Sequence, residues 1–211
     1  MTQLSNILSI AYGQGLPAEE EGRARRMQLA VGAMLLSLLL AMIWGVSAGS
    51  AAGKLAVSNA YKLPLIVIVS SLSALPAGML AFKLSAAKGR ASDLLLAFTS
   101  GVLAGTLVLA VLSPLVALYY NSSSWAGAWL GQGSIFVSLA TGTFIFLRTV
   151  ARQSKPGGRG GMFVSALVLL VVKVAMIVQL IALLSPILPE RTVFDRGVDR
   201  VLVPSAQQGG D

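Results

Sequence analysis

Lys173 is the only charged residue deep inside a long apolar stretch of this sequence, near the middle of Met162–Leu188. A lysine at that depth in a bilayer costs roughly 2.5–3.5 kcal/mol on insertion scales, so intramembrane lysines are rare and usually have a function. No Asp or Glu lies in any apolar stretch to pair with it. The partners left are hydroxyls, carbonyls freed by prolines, a lipid phosphate or an acid from another subunit, and the candidate hydroxyls are Thr99, Ser100 and Thr106.

Two interpretations of Lys173 stay open at this point. In one it is a functional or assembly contact inside the membrane. In the other its long side chain snorkels to an interface and the charge is only tolerated, which is strained for a residue so far from either end of the stretch.

A second polar feature is a short run of small and breakable residues in another apolar stretch. Its members are Ser70, Ser71, Ser73, Ala74, Pro76, Ala77 and Gly78. Pro76 deprives the carbonyl of Leu72 of its helical donor. We predict that Pro76, Pro114 and Pro186 break their helices. At Pro76 the break would line a polar cavity, although an ordinary kink is the simpler interpretation.

The chain contains no histidine and no cysteine. These absences remove His-ligated haem, iron–sulfur clusters and nearly all zinc chemistry. A Ser–His dyad and an HExxH motif are absent for the same reason, no pair of aspartates lies in the apolar stretches, and no Walker A motif is present. Proton relays normally use Asp, Glu or His, which disfavours proton-driven transport. We therefore expect no enzymatic activity, no metal and no cofactor.

Five long apolar stretches must position these residues, and each has about the 20 residues that a helix needs to cross a bilayer. They do not show the two-residue alternation of barrel strands, so helices are favoured. The sequence predicts an all-α, polytopic bundle of five transmembrane helices, with spans at 27–49, 63–82, 94–118, 134–151 and 162–188.

The basic residues predict the orientation of this bundle. The net charge is +8, but Lys and Arg form short runs beside the spans, which indicates topology signals and lipid contacts and not nucleic-acid binding. One side carries ten of them and the other five, so the N-terminus should be cytoplasmic and the C-terminus external. The ten are Arg23, Arg25, Arg26, Lys83, Lys88, Arg90, Arg148, Arg152, Lys155 and Arg159; the five are Lys54, Lys62, Arg191, Arg196 and Arg200.

Small residues repeat at four-residue spacing in two spans. This spacing places them on one helix face, where missing side chains let two helices approach closely. We predict helix packing there, within the chain in preference to a partner chain, at Gly45, Gly49, Gly53, Ala97, Gly101 and Gly105.

The two ends of the chain are predicted to lie outside the bilayer. Residues 1–26 form a cytoplasmic segment with a short interfacial helix, and residues 189–211 form an external tail around the five-span domain 27–188. The basic run Arg23–Arg26 followed by an apolar core also resembles a signal peptide. The long, acidic segment before it favours an uncleaved first span.

Two short motifs and the layout carry a family resemblance. Lys62-Leu63-Pro64-Leu65 opens the second span and Leu112-Ser113-Pro114 closes the third. With five spans and a cytoplasmic N-terminal segment, residues 27–188 resemble the Yip-family membrane proteins of bacteria and eukaryotes. The resemblance implies a helical membrane protein without catalysis, linked to membrane organisation or trafficking, and carries over no functional residue.

These observations predict a non-enzymatic, multi-pass protein of a bacterial inner membrane that organises the membrane or assembles a complex. Its partner is the lipid bilayer, and both a membrane-protein partner and homo-oligomerisation stay open. The alternative is a small channel or facilitator in which Lys173 lines an anion-attracting path. A facilitator needs Lys173 to face a hydrated cavity that is continuous with one side of the membrane, whereas an assembly protein would have it on a flat surface of small residues or capped by internal carbonyls.

Overall fold

The computed structural model describes residues 22–85, 90–154 and 158–188, and these residues form five long helices. The helices are α1 (Arg23–Ala48), α2 (Gly53–Leu84), α3 (Ala91–Ser122), α4 (Ser124–Gln153) and α5 (Arg159–Leu184). All five are long and apolar enough to cross a membrane, and no strand occurs in these three ranges. The predicted all-helical class is confirmed. The predicted interfacial helix before residue 22 and the tail from residue 189 lie outside the described residues, and the orientation of the termini stays a prediction.

Two helices begin or end well beyond the predicted spans. Helix α2 begins at Gly53, ten residues before the predicted start, so Lys62 and Pro64 lie within it. The predicted loop between the third and fourth spans shrinks to Ser123. Polar side chains between the two predicted spans satisfy helix ends: Ser123 Oγ accepts from the Ala126 amide at 3.4 Å, and the Asn121 side chain donates to a carbonyl of its own last turn.

Two of the three predicted helix breaks are wrong. Pro76 lies inside α2 and Pro114 inside α3, and both helices continue through them. A proline removes one backbone donor, and the surrounding turns of a membrane helix keep their bonds, so the helix persists. Pro186 lies beyond the end of α5 at Leu184, after a cis peptide bond with Ser185.

The helices contact one another in the order α4, α3, α1, α2, α5, which differs from their order in the chain. Helix α3 is the most enclosed, with half of its most apolar window buried, whereas only 6% of the corresponding window of α5 is buried. Helix α4 packs extensively on α3 but sparsely on α5. The bundle is therefore nearly a closed ring whose weak contact lies between α4 and α5.

Polar contacts join the helices near both ends. Arg26 on α1 donates to Asp93 on α3, the one acid among the described residues. At the opposite end Asn59 Nδ2 of α2 donates to the Ile187 carbonyl at 2.6 Å, and Lys62 Nζ donates to the Pro186 carbonyl at 3.1 Å. The four residues after α5 are thereby held against α2.

Candidate functional site

Lys173 lies inside the bundle and is bonded to the neighbouring helix α2. Its Nζ donates to Ser71 Oγ at 2.8 Å and more weakly to Ser70 Oγ at 3.5 Å. At 1.5 Å per residue, Lys173 is about 21 Å from the start of α5 and about 16 Å from its end. The ammonium group points across the helix interface and not along α5 towards either end, so the snorkelling interpretation does not fit this geometry.

The groups around the ammonium are all neutral. Both serine hydroxyls donate to the Val67 carbonyl, at 2.6 Å from Ser71 and 3.2 Å from Ser70, so each presents lone pairs to Lys173. The ring centroid of Phe98 lies 5.2 Å from Nζ, within cation–π range. An ammonium has three protons, and the two serines use at most two of them.

The hydroxyls that the sequence suggested as partners are not the ones that Lys173 bonds. Thr99, Ser100 and Thr106 each donate to carbonyls of their own helix three or four residues earlier, and the bonds of Lys173 go to Ser70 and Ser71. Of the partners that the sequence left open, hydroxyls are thus observed, but on residues that were not suggested. Ser70 and Ser71 belong to the run of small and breakable residues noted in the sequence. No sequence pattern predicts that this run contacts α5.

Lys173 borders a cavity of about 530 Å³, and among the described residues it is the only charged side chain in the wall. All five helices contribute, together with Ile187 and Leu188. The wall is formed by Trp44, Leu63, Ile66, Val67, Phe98, Gly101, Val102, Gly105, Thr106, Leu109, Gln132, Ile135, Phe136, Ser138, Leu139, Gly142, Thr143, Phe146, Leu170, Lys173, Val174, Ile177, Ile181, Ile187 and Leu188.

The cavity reaches the outer surface of the bundle between α4 and α5. Phe136 on α4 and Val174 on α5 both line it, yet they are 72% and 37% exposed. These are the two helices that contact each other sparsely. We call this opening the α4–α5 seam, and in a bilayer an apolar opening on the side of a bundle faces lipid.

Gly101 and Gly105 of α3 also line the cavity, and both pack closely on α4. A Cβ at Gly101 would lie 2.7 Å from the Gly142 carbonyl oxygen, and one at Gly105 would lie 3.0 Å from the Ser138 carbonyl oxygen. Ala97, one turn earlier, is fully buried. This small-residue stripe is thus used within the chain.

Two of the three glycines predicted as a packing stripe in α1 lie in close contact with α2. A Cβ at Gly45 would lie 2.5 Å from the Asn59 carbonyl oxygen, and one at Gly49 would lie 2.4 Å from the Ala56 nitrogen. Gly53 has no atom within 4 Å of its Cβ position. Gly53 begins α2 and so does not continue the face formed by the other two glycines, which makes it an error in the predicted stripe.

Helix α4 carries a matching stripe of small residues that is absent from the predicted packing positions. Ser134, Ser138 and Gly142 repeat at the same four-residue spacing and face α1 and α3. The Trp44 indole donates to Ser134 Oγ at 3.0 Å, and Ser138 Oγ donates to the Gly105 carbonyl at 2.8 Å. Small-residue spacing was the signal that would have found this stripe, but serines at two of three positions concealed it.

Comparisons of the chain with protein-family models, curated proteins and solved structures find no match. The resemblance to the Yip family stays a prediction. Within the described ranges, no cluster of three or more His, Cys, Asp or Glu residues forms a candidate metal site. The Lys173 cavity is therefore the observation from which a function can be proposed.

Proposed function

We propose that this protein is a non-enzymatic membrane facilitator that binds an organic anion at Lys173 within the helix bundle. The observation that carries the proposal is a mid-span ammonium facing a large cavity with only neutral groups around it. The one described acid, Asp93, is bound to Arg26 and does not line the cavity. We further propose a bacterial inner membrane as its location, with the N-terminus inside and the C-terminus outside, from the distribution of Lys and Arg.

The energetics support a role for the charge. An intramembrane lysine costs roughly 2.5–3.5 kcal/mol on insertion, and two neutral hydroxyls and one aromatic ring offset only part of that cost. A bound carboxylate would form a charge-assisted hydrogen bond with the remaining ammonium proton, a type about twice as strong as a neutral one. The cavity supplies the space for such a ligand beside Nζ.

A second candidate, a membrane-organising or complex-assembly protein, is favoured by the exposure of α5. Its apolar window is the least buried of the five, which suits a helix that contacts lipid or another chain. The close-packing surface of α3, which would be the natural interface for a partner helix, is occupied by α4. Chemical crosslinking in native membranes, followed by purification, would detect a stable partner on α5. Recovery of the chain alone would oppose this candidate.

The proposed anion binding is tested with octanoate and its neutral analogue octanol. The purified protein in nanodiscs of zwitterionic lipid is heated with increasing concentrations of each. A ligand that binds only the folded protein raises the melting temperature with concentration. We expect octanoate to stabilise the wild-type protein and Lys173→Arg, which keeps the charge, but not Lys173→Met.

Octanol controls for the partition of an eight-carbon chain into the nanodisc. Equal shifts with octanoate and octanol, or a shift with octanoate that persists in Lys173→Met, would overturn the proposal. So would the absence of any octanoate effect on the wild-type protein.

A further inference from the structure

Resting on the proposed function, we infer that the ligand of the Lys173 cavity is a single-chain lipid carboxylate that enters from the bilayer through the α4–α5 seam. Its carboxylate pairs with Lys173 and its hydrocarbon chain lies along the apolar wall.

The wall cannot hold a strongly hydrated anion. Outside Lys173, most of its polar side chains already donate to protein groups: the Trp44 indole to Ser134, Thr106 to α3 carbonyls and Ser138 to the Gly105 carbonyl. Within the described residues this leaves Gln132 and Thr143 as neutral donors along an otherwise apolar surface. An inorganic anion would find only Lys173 and these two neutral donors in place of its water, which is costly. A ligand with one small charged head and an apolar body fits this wall.

The volume suits a hydrocarbon chain. An apolar cavity of about 150 Å³ stays dry and takes up a benzene molecule. The cavity here has about 530 Å³ and lies within the range of roughly 300–1,000 Å³ that small-molecule sites occupy. It therefore accommodates a ligand several times larger than one aromatic ring, and the seam allows part of a longer chain to extend into the bilayer.

The opening faces lipid and not water. Its rim is formed by Phe136 and Val174, which are exposed on the outer surface of helices long enough to cross the membrane. A ligand already dissolved in the bilayer reaches this opening without crossing an aqueous phase. That favours a membrane-partitioning amphiphile as the ligand.

The depth and the single charge select the head group. A phospholipid phosphate lies at the interface, about 15 Å from the bilayer centre in a core roughly 30 Å thick, whereas Lys173 lies near the middle of its helix. In the part of the chain that the structure describes, no second cation lines the cavity to neutralise a dianion. A monocarboxylate pairs with one ammonium and leaves no net charge. A lipid with this small head group carries a single hydrocarbon chain.

Tryptophan quenching by brominated lipids tests this inference directly, because Trp44 lines the cavity and is fully buried. Replacing Trp125 and Trp129 by Phe leaves Trp44 as the only tryptophan of the chain. This variant is placed in nanodiscs of zwitterionic lipid and titrated with dibromostearate, with its methyl ester and with a brominated phosphatidylcholine. We expect saturable quenching by dibromostearate at a concentration at least tenfold lower than that needed with the ester. Lys173→Met in the same background should abolish the difference.

The outcomes separate this inference from the proposed function. Stabilisation by octanoate without quenching by dibromostearate would leave anion binding standing and overturn the lipid ligand. If neither ligand has an effect, both proposals fall. Equal quenching by the acid and the ester, or by phosphatidylcholine, would show that the seam admits lipid without regard to a carboxylate and would overturn the inference. Quenching that is unchanged in Lys173→Met would do the same.

The route through the seam is tested by a matched pair of substitutions on α5. Val174 lines the cavity at the seam, whereas Val178 is 62% exposed and does not line it. In the Trp44-only background, Val174→Phe should slow the onset of quenching by dibromostearate severalfold, and Val178→Phe should not. Equal rates for the two variants and the parent would contradict entrance through the seam.

Discussion

Helix α4 forms two very different contacts, one with α3 and one with α5. Against α3 it is so close that the backbone at Gly101 leaves no room for a Cβ beside Gly142. Against α5 it leaves a seam through which the cavity reaches the surface, and the charge of Lys173 lies behind that seam. The tight contact rests on close backbone approach and on the bond from Ser138 to the Gly105 carbonyl, and the open one leaves space beside a costly charge. Under the proposed function, the loose side is the one that admits the ligand, and the tight side supplies the stability.

The largest expected effect is on the tight side. Gly101→Leu would place a side chain where the Gly142 carbonyl and Phe146 Cβ lie, both 2.7 Å from a Cβ at this position. Overpacking usually costs about 1–3 kcal/mol, and a clash with backbone should reach at least the upper end. We expect poor accumulation and a lower melting temperature in detergent.

The control for this substitution is Gly133→Leu, since Gly133 lies in α4 with no atom within 4 Å of its Cβ position. It should accumulate like wild type. Gly49→Leu, in which the new side chain meets the backbone of Ala56, should behave like Gly101→Leu. Wild-type stability of both Gly101→Leu and Gly49→Leu would show that close backbone contact does not hold the bundle together.

The next effect concerns Lys173, on the open side of α4. Here we expect accumulation to be kept or to rise, whereas it falls for Gly101→Leu. Lys173→Met keeps the length of the side chain and removes the charge, which should ease insertion by up to about 3 kcal/mol. Ser70 and Ser71 keep their bonds to the Val67 carbonyl, so no buried hydroxyl loses its acceptor. The variant should accumulate as well as wild type or better in membranes, as measured by quantitative immunoblotting. Loss of folding would instead mean that the lysine holds α2 and α5 together.

A smaller effect is expected where the chain after α5 closes one end of the cavity. Asn59 is fully buried and donates to the Ile187 carbonyl at 2.6 Å. Asn59→Ala removes this bond and leaves a buried carbonyl without that donor, which should cost about 1–3 kcal/mol. Thermal unfolding in nanodiscs measures the change. Asn121→Ala is the matched control, because the Asn121 side chain bonds at an exposed site, and it should change stability by much less; equal losses would contradict a structural role for the Asn59 contact.

The smallest effect is expected at the contact between α1 and α4. Trp44→Phe removes the indole bond to Ser134, whose own hydroxyl still donates to the Gly131 carbonyl at 2.7 Å. The loss of one neutral hydrogen bond should cost about 0.5–1.5 kcal/mol. Anion binding by the octanoate assay should persist, since Lys173 is unchanged. A loss of binding in a stable Trp44→Phe variant would show that the ligand depends on the indole more than on the charge.

The two sides of α4 also differ in how far the sequence predicts them. Four-residue spacing of small residues is a local pattern, so Gly101 and Gly105 were identified from α3 alone. Lys173 was identified by the cost of a charge in an apolar stretch. Its partners were not, because Ser71 lies 102 positions away in the chain and only the order of helices around the bundle brings α2 against α5. The cavity is a property of packing between five helices and has no signature in any one of them.

The helix ends show the opposite limitation. The predicted spans leave residues 119–133 as a loop, yet Ser123 alone separates α3 from α4, and its side chain accepts from an amide in the first turn of α4. Likewise Pro76 weakens a helix locally, and the rest of α2 keeps it continuous. In both cases a local preference was outweighed by bonds that the surrounding helix supplies.

The central claim is that Lys173 forms an ion pair with a carboxylate inside the bundle, and solid-state NMR tests it directly. The protein is prepared in lipid with isotope-labelled lysine nitrogens and incubated with a long-chain fatty acid labelled at its carboxyl carbon. We predict dipolar coupling between the labelled carboxyl carbon and a lysine nitrogen at the separation of roughly 4 Å that an ion pair implies, and its loss in Lys173→Met. Coupling that survives in Lys173→Met would assign the contact to another lysine, and no coupling at saturating fatty acid would contradict the ion pair.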